Sequence, residues 1–473
     1  MNWAIALPEI ALAIVAMAIL IFGVLRREDT FFLSSMFALG GMLLAALLVL
    51  TSDRGAGYNG QFVSDAFSVF VKILILTGAA LALILSLDYN RNHHIARFEY
   101  PVLMLLSVTG MMVMASASNM MTLYLGLELQ SLALYVLAAF ARDDVRSSEA
   151  GLKYFVLGAL ASGLLLYGIS LVYGFSGTMD FAALAKTLSR PDAASPGLIV
   201  GIVFILVGLA FKISAVPFHM WTPDVYQGSP TPVTVFFSTA PKVAAFALLM
   251  RVMATPFGHL LIAWQELILL VSVASMVLGS FAAIGQTSIK RLMAYSSIGH
   301  MGYALIGLAA GTPEGIRGVL IYLIVYVFMS AGTFACIIAM QRSGRALERI
   351  SDLSGLARTD PGLALAMAIF MFSMAGIPPL SGFFGKLYVF LAAVQSGMWT
   401  LAIIGVLTSV VGAYYYIRVV KVMYFDAPEA PYDPRPASIS FVAAASGLFT
   451  TFFFVFPAPF VGAAQAAAKV LFG

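Results

Sequence analysis

The sequence is divided into long apolar runs that are separated by short polar turns. A helix needs about twenty apolar residues to cross the hydrocarbon core of a bilayer, and the first run, residues 3–25, already has that length. Only 10% of the 473 residues are charged and the mean hydropathy is +0.97, whereas a soluble domain carries about 25% charged residues. Because so few charges cannot cover a globule of this size, we predict an all-α polytopic membrane protein.

Charges, prolines and glycines mark the ends of about fourteen predicted transmembrane helices. The predicted spans are 3–25, 30–50, 62–87, 100–116, 119–140, 148–175, 198–226, 231–253, 259–285, 289–310, 314–340, 361–395, 399–424 and 438–460. A short amphipathic stretch at 180–189 is expected to lie at the surface. The predicted domains are N-terminal helices 1–3 (1–97), a first five-helix repeat (98–255), a second, inverted repeat (256–425) and a C-terminal helix (426–473).

Lysine and arginine are distributed unevenly between the loops. The loops after odd-numbered predicted spans hold fifteen of them, whereas the other loops and the termini hold six. Cytoplasmic loops carry the excess of basic residues in membrane proteins, so we expect both termini to face the outside. The net charge of +4 is spread thinly between apolar runs, and we expect no binding to nucleic acid.

The remaining basic residues are all lysines inside predicted spans, and one carboxylate accompanies them. These residues are Lys72, Lys153, Lys212, Lys242, Lys386 and Glu128. A charge at the centre of a membrane helix costs roughly 2.5–3.5 kcal/mol. We interpret Lys72 as a side chain that reaches towards the membrane surface. A functional role is expected for Lys212, Lys242 and Lys386, because each lies beside a proline or a predicted helix break.

Lysine is suited to proton transfer inside a membrane. In general, burial disfavours the charged ammonium and lowers a lysine pKa, and a neighbouring carboxylate raises it again. Arginine does not lose its proton in proteins. The use of lysine at every deep position therefore favours proton transfer over static ion pairing.

Two predicted spans are interrupted at corresponding positions. Residues 211–217 read FKISAVP and residues 372–379 read FSMAGIPP, and an offset of 161 residues aligns Phe211 with Phe372 and Pro217 with Pro378. Proline removes a backbone hydrogen bond and opens a helix. Since the two spans are the seventh and the twelfth, they should run in opposite directions, which is typical of inverted repeats with broken helices.

Two histidines are further candidates for proton transfer. His300 is predicted to lie in the middle of a span with serines and a tyrosine nearby, and its alternative is a packing role. His219 follows the break at Pro217, where satisfying free backbone groups is the alternative. The single cysteine, Cys336, excludes disulfides and cysteine-held metal clusters. We find no nucleotide-binding motif, so any redox cofactor is expected in a partner.

Three stretches carry a family resemblance. They read FKISAVPFHMWTPDVYQGSPTPVTVFFSTAPKVAAF (211–246), KRLMAYSSIGHMGY (290–303) and MAGIPPLSGFFGKLYVF (374–390). They resemble the antiporter-like subunits of respiratory complex I, the proton-pumping NADH:quinone oxidoreductase. Among these the chain resembles the type called subunit N, since it lacks the length for a lateral C-terminal helix and has Lys386 where another type has glutamate.

The resemblance implies a role for each buried charge. Glu128 and Lys212 would form an ion pair, and Lys153 would modulate that pair. Lys242 would be the central proton carrier, and Lys386 would lie nearest the exit to the outside.

The resemblance also implies a hydrated central axis that includes His219 and His300. It places NADH, FMN, iron–sulfur clusters and quinone in other subunits, with no cofactor or metal in this chain. The implied partners are the other membrane subunits of complex I, including further antiporter-like subunits, and the lipid bilayer. The implied location is the inner membrane of a bacterium, with a mitochondrial inner membrane as the less favoured alternative.

Two other functions remain open at this point. A subunit of a sodium/proton antiporter would need several converging oxygen ligands and more membrane carboxylates than Glu128. A purely structural subunit would be expected to lack Glu128 or the lysine series.

The charge distribution generates a prediction about orientation. An alkaline phosphatase fused after Gly473 should be active, because the predicted span count and the basic loops place both termini outside. A fluorescent protein that folds only in the cytoplasm should be dark at the same position. The opposite pattern would change the span count by one and remove the inverted orientation of the two repeats.

Overall fold

The computed structural model describes residues 3–26, 29–190 and 194–472, and most of these residues are helical. Arg27, which is one of the loop cations, and Gly473 lie outside the described residues. The helices are α1 (Leu7–Leu25), α2 (Phe31–Thr51), α3 (Ala66–Asn92), α4 (Glu99–Ser116), α5 (Met120–Ala138), α6 (Val145–Ser176), α7 (Phe181–Leu188), α8 (Pro196–Ile213), α9 (Thr222–Gly228), α10 (Thr231–Ser238), α11 (Ala240–Ala254), α12 (Leu261–Ile284), α13 (Ile289–Ala309), α14 (Pro313–Ile338), α15 (Leu356–Thr359), α16 (Pro361–Ala375), α17 (Ser381–Gln395), α18 (Trp399–Phe425), α19 (Ala437–Phe452) and α20 (Ala458–Lys469).

The strands are short and lie in loops. β1 (Gly55–Gly57) pairs with β2 (Phe62–Ser64) in an antiparallel hairpin, with Ala56 opposite Val63. A second antiparallel hairpin joins β3 (Gln341–Arg342) to β4 (Arg345–Ala346). The strands are only two or three residues long, so the all-α class is confirmed.

Among the described residues, eleven helical segments are long and apolar enough to cross a membrane. The other three predicted spans correspond to the helix Ile289–Ala309 and to two pairs of shorter helices, α16 with α17 and α19 with α20. The helical positions therefore agree with the sequence, whereas the count of fourteen crossings stays a prediction. The predicted domain boundaries fall between α3 and α4, between α11 and α12, and between α18 and α19, and this division also stays a prediction.

Both predicted breaks are present. α8 ends at Ile213, where Ser214 turns into the left-handed region with φ 63°, and α16 ends at Ala375, where Gly376 has φ 89°. A residue in this conformation ends a helix, and glycine adopts it without a steric penalty. The peptide bonds Val216–Pro217 and Pro378–Pro379 are cis. The chain becomes helical again at α9 and at α17.

The helices differ in how fully protein surrounds them. The most apolar stretch of the segment Thr231–Ala254 is 100% buried, and the most apolar stretch of Pro313–Ile338 is 94% buried. The most apolar stretch of α6 is only 39% buried. An outer helix presents one side to lipid, as the exposed side chains of Leu152 and Leu160 on α6 show. The bundle therefore has a central group of helices, and charged side chains on them are shielded from lipid by protein.

Lys72 does not reach towards the membrane surface, contrary to our interpretation. Its ammonium lies 2.6 Å from Oε1 of Glu9, and the side chains are 2% and 5% exposed. The ammonium also lies 4.9 Å from the centre of the Phe62 ring. No local pattern in the sequence indicates this pair, because Glu9 on α1 and Lys72 on α3 meet only in the tertiary structure.

A second ion pair connects α3 to α11. Both terminal nitrogens of Arg251 donate to the Asp65 carboxylate, at 2.8 and 2.9 Å. Asp65 also caps α3 by accepting a hydrogen bond from the backbone of Ser68. Burial alone would raise the pKa of Asp65, but the charge of Arg251 and its hydrogen bonds keep that pKa below its usual value. Both ion pairs have the geometry of structural contacts.

The buried pair of Glu9 and Lys72 generates a prediction about stability. Lys72→Met should lower the melting temperature of the purified protein, because removing one partner of a buried ion pair costs about 3–5 kcal/mol. The double variant with Glu9→Gln should recover most of the loss, since no buried charge remains unpaired. Lys186→Met, on an exposed side chain, is the matched control. Equal melting temperatures for Lys72→Met and the control would contradict a buried pair.

Candidate functional site

Four of the predicted site residues are buried inside the bundle. The exposed fraction is 1% for Lys242, 2% for His300, 5% for Lys212 and 6% for Lys386. They lie on four helices, α11, α13, α8 and α17. Each of these side chains therefore depends on protein groups for its hydrogen bonds.

Lys212 and Glu128 do not form the ion pair that the resemblance implies. The Lys212 ammonium donates to the Ser131 hydroxyl at 2.6 Å and lies 3.4 Å from the Tyr135 hydroxyl. No carboxylate among the described residues lies within ion-pair distance of Lys212, although Glu128 is near enough to act on it electrostatically. Ser131 and Tyr135 follow Glu128 on α5 at three and seven positions, so they share its helix face.

Glu128 is half-buried and accepts a hydrogen bond from the Ser162 hydroxyl on α6. The Ser131 hydroxyl itself donates to the Leu127 backbone at 2.5 Å. One serine hydroxyl, that of Ser162, therefore binds Glu128, and another, that of Ser131, binds Lys212. Glu128 and Lys212 thus bind different hydroxyl groups, whereas the resemblance implies an ion pair between them.

Lys242 is held at the break in the first repeat. Its ammonium donates to the carbonyl of Ile213 at 3.0 Å and to the hydroxyl of Ser214 at 2.5 Å. Ile213 is the last residue of α8, and the last carbonyls of a helix have no partner within it. The break at the end of α8 therefore creates the acceptors that bind Lys242.

Lys386 is held at the break in the second repeat by the same kind of acceptor. Its ammonium donates to the carbonyls of Met374 and Ala375, both at 3.0 Å, and to the Ser409 hydroxyl at 2.8 Å. Lys242 comes from a helix after the broken one, whereas Lys386 comes from the second half of the broken helix itself. In both cases the negative end of a helix dipole faces an ammonium, which stabilises the cation.

His300 lies near a serine expected beside it and between two tyrosine hydroxyls that sequence reasoning missed. Its Nδ1 lies 2.6 Å from the Tyr322 hydroxyl, and its Nε2 lies 3.0 Å from the Tyr416 hydroxyl. The Tyr416 hydroxyl is also 2.5 Å from the Ser296 hydroxyl. One tyrosine must donate to the imidazole when the ring is neutral, and both can accept when it is protonated. His300 is thus bound on both ring nitrogens.

The tyrosines have a pattern that the sequence does show. Tyr322 and Tyr326 are four residues apart on α14, which puts them on one helix face. The Tyr326 hydroxyl donates to Ser297 at 2.8 Å, and its ring centre lies 5.3 Å from that of His300. Aromatic residues at this spacing are usually packing residues, which is why the pattern alone did not identify them.

Aromatic side chains lie beside both Lys242 and Lys386. The ring centre of Tyr226 lies 5.9 Å from the Lys242 ammonium, and α9, which carries Tyr226, packs against α13. On the other side of His300, the Tyr303 ring centre lies 4.9 Å from the Lys386 ammonium. The site residues therefore follow one another in the order Lys242, His300 with its bound tyrosines, and Lys386.

Lys153 does not join this series. Its ammonium pairs with Glu149 at 2.7 Å and with Asp224 at 2.8 Å, and its side chain is 40% exposed. A cavity of about 260 Å³ is lined by Lys153, both acidic residues, Arg146 and Gln227, among others. The sequence placed Lys153 deep in a span, but it lies only two turns from the start of the long helix α6.

His219 lies in the segment between α8 and α9 and is half-buried. Its backbone carbonyl accepts a hydrogen bond from Thr222 at 2.9 Å. Within the part of the chain that the structure describes, its ring makes no hydrogen bond to another predicted site residue. The structure therefore places His219 at the first break, apart from the series of lysines.

Comparison with known proteins identifies the family. Residues 117–412 match the family described as NADH:quinone oxidoreductase/Mrp antiporter, transmembrane. A relative named NADH-quinone oxidoreductase subunit N, from Granulibacter bethesdensis, is 67% identical over 477 aligned positions that cover 100% of both chains.

Solved structures agree with this likeness. A chain of respiratory complex I from Thermus thermophilus is 34% identical, with a TM-score of 0.83 over 97% of this chain and 99% of that one. A chain of the Mrp complex from Dietzia has a TM-score of 0.87 over 100% of this chain and 98% of its own, at 23% identity, so it shows the fold alone. With the fold, the broken helices and the sequence identity in agreement, this chain belongs to the family of NADH-quinone oxidoreductase subunit N, a membrane-arm, antiporter-like subunit of respiratory complex I.

Proposed function

We propose that this chain translocates protons across the membrane along the series Glu128, Lys212, Lys242, His300 and Lys386, coupled to the reduction of quinone by NADH elsewhere in the complex. The observation that supports the series is the kind of partner each lysine has. Lys212, Lys242 and Lys386 donate to hydroxyls and backbone carbonyls. All of these acceptors are neutral.

The other buried cations of the described chain have charged partners. Lys72 pairs with Glu9, Arg251 with Asp65, and Lys290 with Glu348 at 3.3 Å. A carboxylate partner stabilises the charged form and so keeps the proton on the cation. A lysine held by neutral acceptors is free of that constraint. The contrast within one protein supports a role in proton transfer for the three lysines and a structural role for the paired cations.

The hydroxyl groups provide the intervening positions for protons. Ser131 is bonded to Lys212, and Ser214 is bonded to Lys242. Non-helical backbone at membrane depth is tolerated where it is buried in protein or lines a water-filled cavity. Water at the two breaks would complete the series, which we place across the membrane plane at mid-depth. Lys386 would release protons to the outside.

The assembly supplies the rest of the reaction. We propose that NADH, FMN, iron–sulfur clusters and quinone are bound by other subunits, and that this chain has no redox centre of its own. No cluster of His, Cys, Asp or Glu in the described ranges could hold a metal ion. The location is the inner membrane of a bacterium, with both termini outside. His219, at the first break, and Lys153, on α6, would act beside the series and not within it.

A sodium/proton antiporter is the second candidate, because the Mrp chain has the same fold. The sequence identities favour the oxidoreductase, at 67% to the subunit N relative against 23% to the Mrp chain. The lysine series is surrounded by neutral donors and acceptors, whereas a sodium site needs several converging oxygens. Lys242 and Lys386 already occupy the carbonyls at both breaks.

The central position of Lys242 generates a prediction. In the assembled complex, Lys242→Ala should reduce NADH-driven proton uptake and NADH oxidation together, by roughly tenfold, or about 1.4 kcal/mol of barrier. Lys242→Arg should fail as well, because arginine retains its proton. Glu128→Ala should be impaired in the same way. Proton uptake is measured by fluorescence quenching in inverted membrane vesicles.

Lys186→Ala is the control, since this lysine is exposed on the surface helix α7. Native gel electrophoresis should show the assembled complex for every variant. Normal proton uptake by assembled Lys242→Ala or Glu128→Ala would remove that residue from the path.

The two hydroxyls at His300 generate a further prediction. Tyr322→Phe and Tyr416→Phe should each lower proton uptake and NADH oxidation several-fold, because each removes one hydrogen-bond partner of the buried imidazole while keeping the ring. Tyr414→Phe is a matched control on the same helix as Tyr416, with a side chain that is 58% exposed. If all three variants turned over at the same rate, the tyrosine hydroxyls would be packing groups only.

A further inference from the structure

We propose that Asp224 is a positioning residue that joins the two repeats, by holding α9 of the first repeat between Lys153 on α6 and Arg291 on α13. The inference rests on the proposed proton path, because α13 also carries His300. The sequence did not predict the contact of Asp224 with Lys153 or its contact with Arg291. The structure brings these three residues together near the start of α6, on the side of the predicted cytoplasmic loops.

The Asp224 carboxylate uses one oxygen for each cation. Its Oδ2 lies 2.8 Å from the Lys153 ammonium, and its Oδ1 lies 2.6 Å from Nη1 of Arg291. Arg291 is also 3.3 Å from the side-chain oxygen of Gln227. Since α6, α9 and α13 each contribute one charged side chain, a single carboxylate connects three helices.

The preceding residue of α13 makes a second link to the same segment. Lys290, 2% exposed, donates to the carbonyl of Ser229 at 2.8 Å. Ser229 follows the last residue of α9. Two adjacent residues in the first turn of α13 therefore bind both ends of α9. Since α9 is the second half of the first broken helix, its position relative to α13 is determined by these contacts.

Lys153 makes this connection adjustable. Its ammonium lies between Asp224 at 2.8 Å and Glu149 at 2.7 Å. Glu149 is one turn before Lys153 on α6, so the ammonium can pair with it without any movement of the helix. If Lys153 pairs with Glu149 alone, the full charge of Asp224 acts on Arg291. A change in the pairing of Lys153 would then alter the contact of α9 with the helix of His300.

Partly exposed ion pairs usually contribute little to stability, typically about 0–1 kcal/mol. The role of Asp224 would therefore be to hold the helices in position and not to stabilise the fold. It would fix the distance between the two repeats, whose site residues must stay aligned. Asp143, a nearby acidic residue, provides the contrast. It is 95% exposed and lies 3.9 Å from Arg142, with no second helix involved.

The test is a double-mutant cycle in the assembled complex. Asp224→Asn and Arg291→Gln should each reduce NADH oxidation and proton uptake several-fold. The double variant should be no worse than either single variant, because residues that act as one unit have non-additive effects. Asp224→Glu should restore most of the activity by returning the charge. Asp143→Asn should equal the unmodified complex.

Several results would overturn the inference. They are normal turnover of Asp224→Asn, multiplicative losses in the double variant, and an Asp224→Glu complex as poor as Asp224→Asn. If Asp224→Asn did not assemble, Arg291→Gln would decide, and its normal turnover would overturn the inference. Lys242→Ala, measured alongside, separates the two proposals. If it alone is impaired, only the role of Asp224 fails, whereas normal proton uptake by Lys242→Ala contradicts the proton path.

Discussion

The structure depends on how backbone carbonyls are satisfied where two helices stop inside the bundle. In a bilayer core an unpaired carbonyl has no water to bind, so an interruption needs a donor from the protein or from enclosed water. At the break after Ile213 the donor is Lys242, and at the break after Ala375 it is Lys386. Each of these contacts satisfies both groups, because the buried ammonium needs an acceptor and the free carbonyl needs a donor.

This reciprocity explains why Lys242 and Lys386 are tolerated without a carboxylate partner. Helix ends carry partial negative charge at their carbonyls, and that charge stabilises an ammonium less firmly than a full counter-ion does. Lys72, paired with Glu9, shows the alternative solution within the same molecule. Neutral partners suit the proton exchange that we propose for Lys242 and Lys386, whereas the ion pair of Lys72 with Glu9 links α1 to α3.

The second repeat adds a different element, the cluster of tyrosine hydroxyls at His300. Tyr322 and Tyr416 bind opposite sides of the imidazole, so the ring is held in one orientation. α13, which carries His300, is also the helix whose first turn binds α9 through Lys290 and Arg291. Helix α13 is therefore in contact with both the first break and the second half of the lysine series.

The sequence alone determined the membrane class, the helical segments and the two breaks, because hydropathy, proline and glycine act locally along the chain. It also identified Lys212, Lys242 and Lys386, since a lysine in an apolar run needs an explanation wherever the helix packs. Only the tertiary structure decided the partners: Glu9 for Lys72, Ser131 for Lys212, Asp224 for Lys153 and the tyrosines for His300. Partners depend on which face each helix turns towards helices distant in sequence, and no local pattern encodes that choice.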